Sequence, residues 1–450
     1  KKCCIKSHCE SSSENKYDNS AANAGENSGS KMLKKANSDL VRRQNRGLFL
    51  ETLRQHGPLA RITLGHRTGL SPASITSISA QLIEEGLVYS IGEDDAVSAE
   101  TKRGRPQTRL ALNPKATNVL AVSISVDSIE LVFADFSGAT HVPVKLRIDT
   151  YEIPKEEFGP RVAHEIKANA QKLGIALVSI SRIGIAVQGV ADTITGEIPW
   201  SPAFRARDIP VVKPLERILG IPCSIGNNAN MMAEALIEAD RKKYGGNSAV
   251  VFLGHGVGLG LILNGVVYDG ANGRAAEFGH MNHLPDGPLC RCGRHGCLEA
   301  FSADYGIMRM ANDGQGHDFD VHAAVRDEDM RELELAAEAG DTVAVNAFNR
   351  AGEVLGFGIA RLIALINPQR VVLAGPGTRA YGLMKDSIWE ALRRGLVHDL
   401  RKYVEFEVVP YGKDMITTGT LVETLRHLDR DVFATGLRSA VLEFAGRKIA

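Results

Sequence analysis

Three cysteines and a histidine fall within one glycine-containing stretch, and this stretch constrains the fold more than any other part of the chain. From Glu277 to Glu299 it reads Glu-Phe-Gly-His-Met-Asn-His-Leu-Pro-Asp-Gly-Pro-Leu-Cys-Arg-Cys-Gly-Arg-His-Gly-Cys-Leu-Glu. One imidazole and three thiolates complete a Cys₃His shell, the closed tetrahedral arrangement of structural zinc. Ordinary buried thiols are the alternative, but three of the seven cysteines lie here. We predict one structural Zn²⁺ per chain, held by His280, Cys290, Cys292 and Cys297.

Two further histidines, His283 and His295, are rival ligands that the spacing does not exclude. The flanking carboxylates would be held toward one pocket by the metal. Glu-x-x-Gly-His followed by Cys-x-Cys-Gly-x-x-Gly-Cys-x-Glu resembles the signature of the ROK family of repressors, open reading frames and sugar kinases. The resemblance covers about residues 38–450 and is strongest at 277–299 and 71–112. It implies a two-lobed, actin-like or ribonuclease-H-like sugar-kinase fold with a ligand cleft between the lobes.

The first folded part of the chain has the pattern of a winged helix-turn-helix. Gly57-Pro58 ends the first helical run, and Ser71-Pro72 is a typical N-cap with proline at the first helical position. Short helices joined by a glycine-containing turn, followed by a hairpin with basic residues at 101–106, are typical of DNA binding. The predicted elements are helices over 38–56, 60–67 and 72–85 and strands over 87–91 and 108–112.

The third helix is expected to enter the major groove of DNA, and the basic wing the narrow minor groove, whose potential attracts arginine. Residues 31–115 carry 14 Lys+Arg against 8 Asp+Glu, whereas 116–450 carry 35 against 41. A basic front part favours an anionic partner. A helical dimerisation module with a solvated charged loop is the alternative. The predicted DNA contacts are Pro72, Ala73, Ser74, Thr76 and Ser77 in the helix and Arg103, Gly104 and Arg105 in the wing.

After Asn113-Pro114, apolar strands alternate with helices, which indicates an α/β fold. The predicted domains are a disordered tail over 1–31, ahead of a natural start at Met32, a winged helix-turn-helix over 32–114, and a sensor domain over 115–450. Within the sensor domain we expect a lobe boundary near residue 230 and a C-terminal helix that returns to the first lobe.

Compared with the kinases of the family that it resembles, this sequence lacks two elements of catalysis. Kinases of the family carry Asp-x-Gly-Gly-Thr in the first hairpin, where glycines let backbone amides approach phosphates; the aligned residues here are Ser123-Ile124-Ser125-Val126-Asp127. The family's general base lies in Asn-Asp, which reads Asn227-Asn228 here. An amide cannot take a proton near neutral pH. We therefore expect no enzyme activity, although the glycine-rich turn 254–260 is retained.

The resemblance also implies a set of sugar-binding residues. His280 would bind zinc through one ring nitrogen and ligand through the other. One departure is Pro202-Ala203-Phe204 in place of Pro-Asn-Leu, which removes a polar contact and adds an aromatic ring. This change favours an altered sugar, a sugar phosphate or no ligand over a glucose-like sugar. The implied sugar-binding residues are Asn227, Asn228, Glu277, His280 and Glu299.

Together, these patterns predict a transcriptional regulator of carbohydrate-metabolism genes, a repressor that binds operator DNA and senses a sugar or sugar derivative. A homodimer or homotetramer is expected because paired DNA-binding heads multiply a weak affinity. No apolar run is long enough to span a membrane, and clustered thiols without a disulfide framework favour the cytoplasm. Two alternatives remain open: an active sugar kinase with a rerouted mechanism, and a regulator controlled by a protein partner.

Overall fold

The computed structural model describes residues 29–92, 108–126, 128–312, 319–323, 325–397, 400, 404–410, 412 and 415–435. The predicted wing contacts Arg103, Gly104 and Arg105 lie outside the described residues, as does Asp127. Within the described ranges, no helix is both long and apolar enough to cross a membrane.

The N-terminal head contains the predicted helices and hairpin. Its core joins all three helices to the hairpin through Leu50, Leu64, Ile75 and Leu110, which are each at most 1% exposed. The side chain of Ser71 accepts a hydrogen bond from the backbone N–H of Ser74, so the predicted N-cap forms. The elements are helices α1 (Gly29–His56), α2 (Arg61–Thr68) and α3 (Pro72–Glu84) and a sheet in the order β1 (Leu59–Ala60), β3 (Arg109–Leu112), β2 (Val88–Ile91).

Helix α1 begins nine residues before the predicted start at residue 38. Residues 29–31, which we assigned to a disordered tail, are therefore helical. The segment Lys-Met-Leu-Lys-Lys-Ala after Ser30 consists of residues with high helix propensity, and it extends the helix toward the N-terminus although it lacks a strong apolar stripe. The tail prediction for 1–28 lies outside the described residues.

The first lobe is a five-stranded sheet in the order β11-β7-β4-β5-β6. Strands β4 and β5 form the predicted antiparallel hairpin, while β4, β7 and β11 run parallel. Helices α4 and α5 cover one face through a core that contains Phe158, Ile183 and Leu215. The elements are β4 (Asn118–Ser125), β5 (Ser128–Asp135), β6 (Val144–Arg147), α4 (Lys155–Lys172), β7 (Ile180–Val187), β8 (Val190–Asp192), β9 (Glu197–Trp200), β10 (Ile209–Pro210), α5 (Val212–Leu219) and β11 (Cys223–Asn227).

The second lobe is another five-stranded sheet, in the order β14-β13-β12-β15-β16. Its main core lies between this sheet and a long apolar helix, α11, which packs along α12. The elements are α6 (Asn228–Ala239), α7 (Arg241–Tyr244), β12 (Ser248–Leu253), β13 (Val257–Leu263), β14 (Val266–Val267), α8 (Glu299–Ser302), α9 (Asp304–Asn312), α10 (Asp327–Glu338), α11 (Thr342–Ile366), β15 (Arg370–Ala374), α12 (Tyr381–Gly395), β16 (Glu405–Val408) and α13 (Met415–His427).

Helices α6 and α13 lie against each other and connect the two lobes. Helix α6 follows directly from the last strand of the first sheet, and it packs on β13 of the second sheet. Helix α13 returns to the first sheet, where a Cβ at Gly184 in β7 would overlap the hydroxyl of Thr424. The close contact therefore requires glycine in that strand. One end of α13 lies at the cleft between the lobes and the other leads toward the N-terminal head.

Candidate functional site

A cleft of about 410 Å³, which we call the interlobe cleft, lies between the two lobes. Its volume is within the usual range for small-molecule sites. The first lobe contributes residues that follow the ends of strands β4, β7 and β11, and the second lobe contributes the glycine-rich turn and the metal loop. All five residues that we predicted to bind sugar line this cleft: Asn227, Asn228, Glu277, His280 and Glu299.

Next to the cleft, the four predicted metal ligands form one compact group. Their donor atoms all lie within 4.8 Å of one another. The three cysteines lie in a loop, residues 281–298, which we call the metal loop, and His280 directly precedes it. At Gly296 the chain turns with φ of 72°, and a Cβ there would overlap the Leu284 carbonyl. Only glycine suits this turn, which brings Cys297 back to the other ligands.

The spacing of these donor atoms fits a tetrahedral zinc ion. Zinc–sulfur bonds of about 2.3 Å and zinc–nitrogen bonds of about 2.05 Å imply a sulfur–sulfur separation of about 3.8 Å and a sulfur–nitrogen separation of about 3.6 Å. The Sγ atoms of Cys292 and Cys297 are 3.7 Å apart, and Cys290 Sγ is 3.6 Å from His280 Nδ1. The residues present therefore fit the ion.

The rival histidines lie elsewhere. His283 packs its ring against Phe301 and Phe357, and His295 Nδ1 is 3.1 Å from the Gly287 carbonyl oxygen. Among the described residues, the group that could hold a metal includes His280 and neither of these two histidines.

Arg291, between the first two cysteines, anchors the metal loop, and sequence reasoning missed this role. Its guanidinium donates to the carbonyl oxygens of Val321, His255 and Ala323 at 2.6, 3.1 and 2.9 Å. The ring of Tyr305 lies 4.4 Å from the guanidinium carbon. A buried charge with this many acceptors is well satisfied. The metal loop is thereby fixed to the glycine-rich turn of the cleft.

His280 presents one nitrogen to the cysteines and the other to the cleft. Nδ1 faces Cys290, while Nε2 lies 3.9 Å from Oε2 of Glu277. The edge of the His280 ring contacts Trp200 at a centroid distance of 5.0 Å, with the rings nearly perpendicular. A ligand that accepts or donates a hydrogen bond in the cleft can therefore meet Nε2 of His280 while Nδ1 faces the thiols.

The two carboxylates of the set differ in their surroundings. Glu299 is 6% exposed, and its Oε2 accepts the backbone N–H of Val257 at 3.1 Å. Its Oε1 lies 3.4 Å from the hydroxyl of Tyr305. The side chain of Glu277 is 36% exposed, and burial raises the pKa of its carboxyl. Glu299 is thus fixed in place, and Glu277 is free to adjust to a ligand.

The two asparagines also differ. Asn227 caps helix α6: its side chain accepts from the N–H of Ala229 and donates to the carbonyl of Gly189. This amide mainly fixes the local backbone. Asn228 is 7% exposed, and its Oδ1 is buried without a hydrogen-bond partner among the described residues. Since a buried acceptor without a partner is costly, Asn228 is a candidate contact for a ligand hydroxyl.

The aromatic ring that we expected at Phe204 does not enter the cleft. Phe204 is 5% exposed and packs edge-on against Phe158 in the core of the first lobe. The strand β9 and the following turn place Trp200, rather than Phe204, at the cleft. The expectation of an added ring at 204 is therefore wrong, because its neighbours are core residues.

Further cleft residues were not found by sequence reasoning. Gln188 directly follows β7, and the carboxyl end of a parallel strand is a usual ligand position, so this signal was available. His255 binds Asp304 at 3.2 Å, and this hydrogen bond raises the pKa of the imidazole. Lys145 has a side chain that is 66% exposed and lies 3.5 Å from Glu130. His255 and Lys145 reach the cleft through the packing of segments that are distant along the chain, so no local sequence pattern indicated them.

A polar contact bridges the lobes beside the cleft. Arg274 of the second lobe pairs with Asp192 of the first, and the Thr193 N–H donates to the carbonyl of Asn272 at 3.3 Å. Two residues further, Ala276 has φ of 67°, in the left-handed region that non-glycine residues rarely occupy. This backbone leads directly into Glu277, so the position of that carboxylate is linked to the contact between the lobes.

In the head, the N-terminal turns of α3 are open to solvent. Pro72, Ala73, Thr76 and Ser77 are exposed, whereas Ser74 is partly buried and its hydroxyl lies 2.9 Å from that of Ser71. The hydroxyl of Thr76 donates to the Pro72 carbonyl, which leaves its lone pairs available. The face predicted to meet DNA bases is thus uncovered among the described residues.

The fold and the cleft define a two-lobed sugar-kinase-like protein that carries an N-terminal helix-turn-helix head. Residues 119–422 match the ROK family. Because this match covers more than half of the chain, the chain belongs to the ROK family.

Curated relatives of similar length include regulators. The chain is 30% identical to a putative xylose repressor of Caldicellulosiruptor sp. strain Rt8B.4, over 80% of this chain and 88% of that protein. It is 28% identical to the DNA-binding transcriptional dual regulator NagC of Escherichia coli strain K12, over 76% of this chain and 83% of that protein.

Solved structures show the same fold. A ROK family transcriptional regulator, a homologue of the E. coli MLC protein, matches with a TM-score of 0.72 and 24% identity, over 90% of this chain and 99% of that chain. A ROK hexokinase from Thermus thermophilus matches with a TM-score of 0.55 and 25% identity, over 68% of this chain and 98% of that chain. The predicted fold class is confirmed.

Proposed function

We propose that this chain is a sequence-specific DNA-binding regulator, a repressor, of carbohydrate-metabolism genes, whose two lobes sense a sugar or sugar derivative. The observation that carries the proposal is the polar interlobe cleft in the same chain as an exposed recognition helix. The relatives named as a xylose repressor and as a transcriptional dual regulator match beyond the family domain, over 80% and 76% of the chain.

In the complex with DNA, helix α3 lies in the major groove and contacts the edges of the bases. The contacting residues are Pro72, Ala73, Ser74, Thr76 and Ser77. Small and hydroxyl side chains allow the helix to approach closely. The wing arginines Arg103 and Arg105, with Gly104 between them, contact the minor groove. Two heads are needed for useful affinity, so the regulator acts as a homodimer or homotetramer in the cytoplasm.

A sugar binds in the interlobe cleft through Glu299, Glu277, His280 and Asn228, while Asn227 holds the backbone at the entrance to α6. Paired carboxylates accept from neighbouring hydroxyls, and the imidazole and amide supply the complementary groups. His280, Cys290, Cys292 and Cys297 would hold Zn²⁺, which would make the metal loop rigid and fix the tautomer of His280.

The cleft binds sugar but does not phosphorylate it. By the sequence resemblance, Asn228 stands where kinases of the family have their general base, and an amide cannot accept the proton of a sugar hydroxyl. An active kinase is the second candidate, and the similarity to the Thermus thermophilus hexokinase favours it.

Helix α13 provides the route from the cleft to the head. Ile416 lines the cleft at the start of this helix, and the segment after its end carries Asp429, which is 1% exposed. Asp429 accepts two hydrogen bonds of 2.9 Å from Arg54 of α1. The next segment binds Arg46 of α1 through the carbonyl of Phe433.

The same arginine reaches the recognition helix. Arg46 is 2% exposed and pairs with Glu85 at the end of α3, while its second nitrogen lies 3.3 Å from Gln81. Movement of α13 is thus transmitted through charged groups to α3. A sugar shifts the equilibrium between the DNA-binding arrangement of the head and a second arrangement only if it binds the two with different affinities.

Fluorescence anisotropy with DNA from the region upstream of the chain's own gene tests the proposal. We expect the zinc-loaded protein to bind this DNA, and one sugar of a panel of sugars, amino sugars and sugar phosphates to release it. Glu277→Gln should keep DNA binding and need about tenfold more sugar for release, because a charged hydrogen bond contributes roughly 1.5–3 kcal/mol. The exposed substitution Glu338→Gln is the matched control.

Release by a sugar-transport protein without any response to sugars would instead support control by a protein partner. Absence of DNA binding under any condition would contradict the proposal.

A further inference from the structure

A second cleft, of about 540 Å³, lies toward the C-terminal end of α13 and shares no residue with the interlobe cleft. We call it the rear cleft. It is bounded by strands β7 and β11, by the turn that joins β8 to β9, by α5 and by the last two turns of α13. Its lining includes three carboxylates, and that of Asp269 accepts a hydrogen bond from Asn230 at 2.7 Å. The charged and polar lining residues are Arg182, Thr195, Lys213, Glu216, Ser224, Asp269, Glu423 and His427.

Arg182 is the unusual group in this cleft. It is half-buried, its Nε is fully buried, and its guanidinium makes no hydrogen bond or ion pair with the described residues. Other arginines with side chains near the fold interior are paired: Arg54 with Asp429, Arg426 with Glu234 and Arg291 with three carbonyls. Asp431, Glu216 and Glu423 attract this guanidinium electrostatically, but none of them satisfies its N–H donors with a hydrogen bond, and unsatisfied donors in a partly desolvated position are costly.

A second polar atom in the same cleft also lacks a partner. The hydroxyl of Thr195 is buried without a hydrogen bond to any described residue. Its position is fixed, because the Asp192 carboxylate accepts the backbone N–H of Ile194 and of Thr195, each at 2.9 Å. The ammonium of Lys213 forms no ion pair within the described ranges and is exposed at the rim.

Carboxylates near Arg182 are engaged elsewhere. Glu423 pairs with Arg426 at 3.1 Å and with His427 at 3.2 Å, and Asp431 pairs with His427 at 2.8 Å. Glu216 accepts the backbone N–H of Cys223 at 3.0 Å. None of these acids forms a hydrogen bond with Arg182, which leaves the planar donor groups of its guanidinium for another acceptor.

We propose that the rear cleft is a binding site for a small oxyanion, a carboxylate or a phosphate, held by the guanidinium of Arg182 and the hydroxyl of Thr195, with the ammonium of Lys213 at the rim. The guanidinium provides the paired donors that match two oxygens of such a group. Because the far end of α13 lines this cleft and the near end lines the interlobe cleft, an anion here acts on the helix that leads to the head.

Thermal unfolding of the full-length protein tests the site, with inorganic phosphate and citrate as the two anions and sodium chloride to match ionic strength. We expect at least one anion at millimolar concentration to raise the unfolding temperature of the wild type in a saturable way. Arg182→Gln should weaken its binding about tenfold or more, because a charged hydrogen-bonding partner is lost. The two anions distinguish a phosphate site from a carboxylate site.

Arg147→Gln, which removes the same charge from an exposed position, is the control and should bind as the wild type does. Without anion, Arg182→Gln should still unfold in one cooperative transition, because the substitution breaks no hydrogen bond to a described residue; this transition is the check that the variant folds. Thr195→Val should show a smaller loss of anion binding. A wild type that responds to neither anion, or a response that is equal in Arg182→Gln and Arg147→Gln, overturns the proposal.

Discussion

The two ends of the interlobe cleft differ in how firmly their polar side chains are held. At the metal-loop end, Glu299 accepts a backbone N–H and Arg291 donates to three carbonyls. On the first-lobe side of the cleft, which we call the hairpin end, Lys145 of β6 is largely exposed, and Asn228, after β11, has a buried oxygen without a partner among the described residues. Glu299 and Arg291 are thus held by hydrogen bonds before any ligand arrives, whereas Lys145 and Asn228 are held less firmly.

This difference fits a binding site better than a catalytic one. Phosphoryl transfer needs precise placement of phosphate and base at the hairpin end. Recognition of a sugar needs fixed acceptors and donors, which the metal-loop end has. The comparison therefore predicts large effects from changes at the metal loop and along α13, and small effects from changes at the hairpin end and the glycine-rich turn.

The largest expected effect comes from removing a metal ligand. Cys292→Ser should abolish stoichiometric zinc, measured by atomic emission, and lower the thermal stability of the second lobe strongly, since closed sites bind zinc with roughly 10–16 kcal/mol. Cys223→Ser is the control: this thiol is buried outside the metal loop, so zinc content should stay at one per chain. Retention of one zinc by Cys292→Ser would show that our ligand set is wrong.

A change at the far end of α13 should rank next. Arg54→Gln leaves the buried Asp429 without its counter-charge, and such losses cost about 3–5 kcal/mol. Urea unfolding should show this destabilisation, and operator binding should weaken with it. Arg394→Gln removes an exposed pair with Glu353 and should cost less than about 1 kcal/mol. Equal costs for the two variants would contradict a special role of this contact.

At the hairpin end, Asn228→Asp sharpens the comparison. A new carboxylate at a position that is 7% exposed should destabilise the protein by about 1–3 kcal/mol, since it lacks a compensating partner. We expect no ADP from MgATP with any sugar, because residues 123–126 contain no glycine, unlike the Asp-x-Gly-Gly-Thr motif of kinases that the chain resembles. ADP production by the variant would show that the hairpin end is closer to a kinase than we infer.

The smallest effect concerns pH. The hydrogen bond to Asp304 raises the pKa of His255 above its ordinary value of 6.5. The folded state therefore binds this proton more tightly, so the added stability is fully present below pH 6.5 and is lost as pH rises through the higher folded pKa. The side chain is 39% exposed, so solvent screening limits the effect to about 0.5 kcal/mol. Denaturation of His255→Gln across pH 6–8 should show a flatter profile than the wild type, and an unchanged profile would count against this assignment.

Local patterns in the sequence predicted much of the fold. Ser71 as an N-cap and the hairpin after α3 are confirmed because capping and alternation act over a few residues. The grouping of His280 with three cysteines also followed from short spacing. The sequence did not reveal Arg291 as an anchor, Trp200 at the cleft or Arg182 in the rear cleft, since these depend on segments that are distant along the chain.

We propose above all that the interlobe cleft binds a sugar without phosphorylating it and that this binding lowers the affinity of the head for DNA. The most direct measurement is thermal unfolding of the zinc-replete protein against sugars, amino sugars and sugar phosphates, with and without MgATP, followed by DNA binding with any compound that stabilises. The account predicts a stabilising compound that acts alone and lowers DNA affinity. Stabilisation that requires MgATP, with ADP appearing, would contradict it.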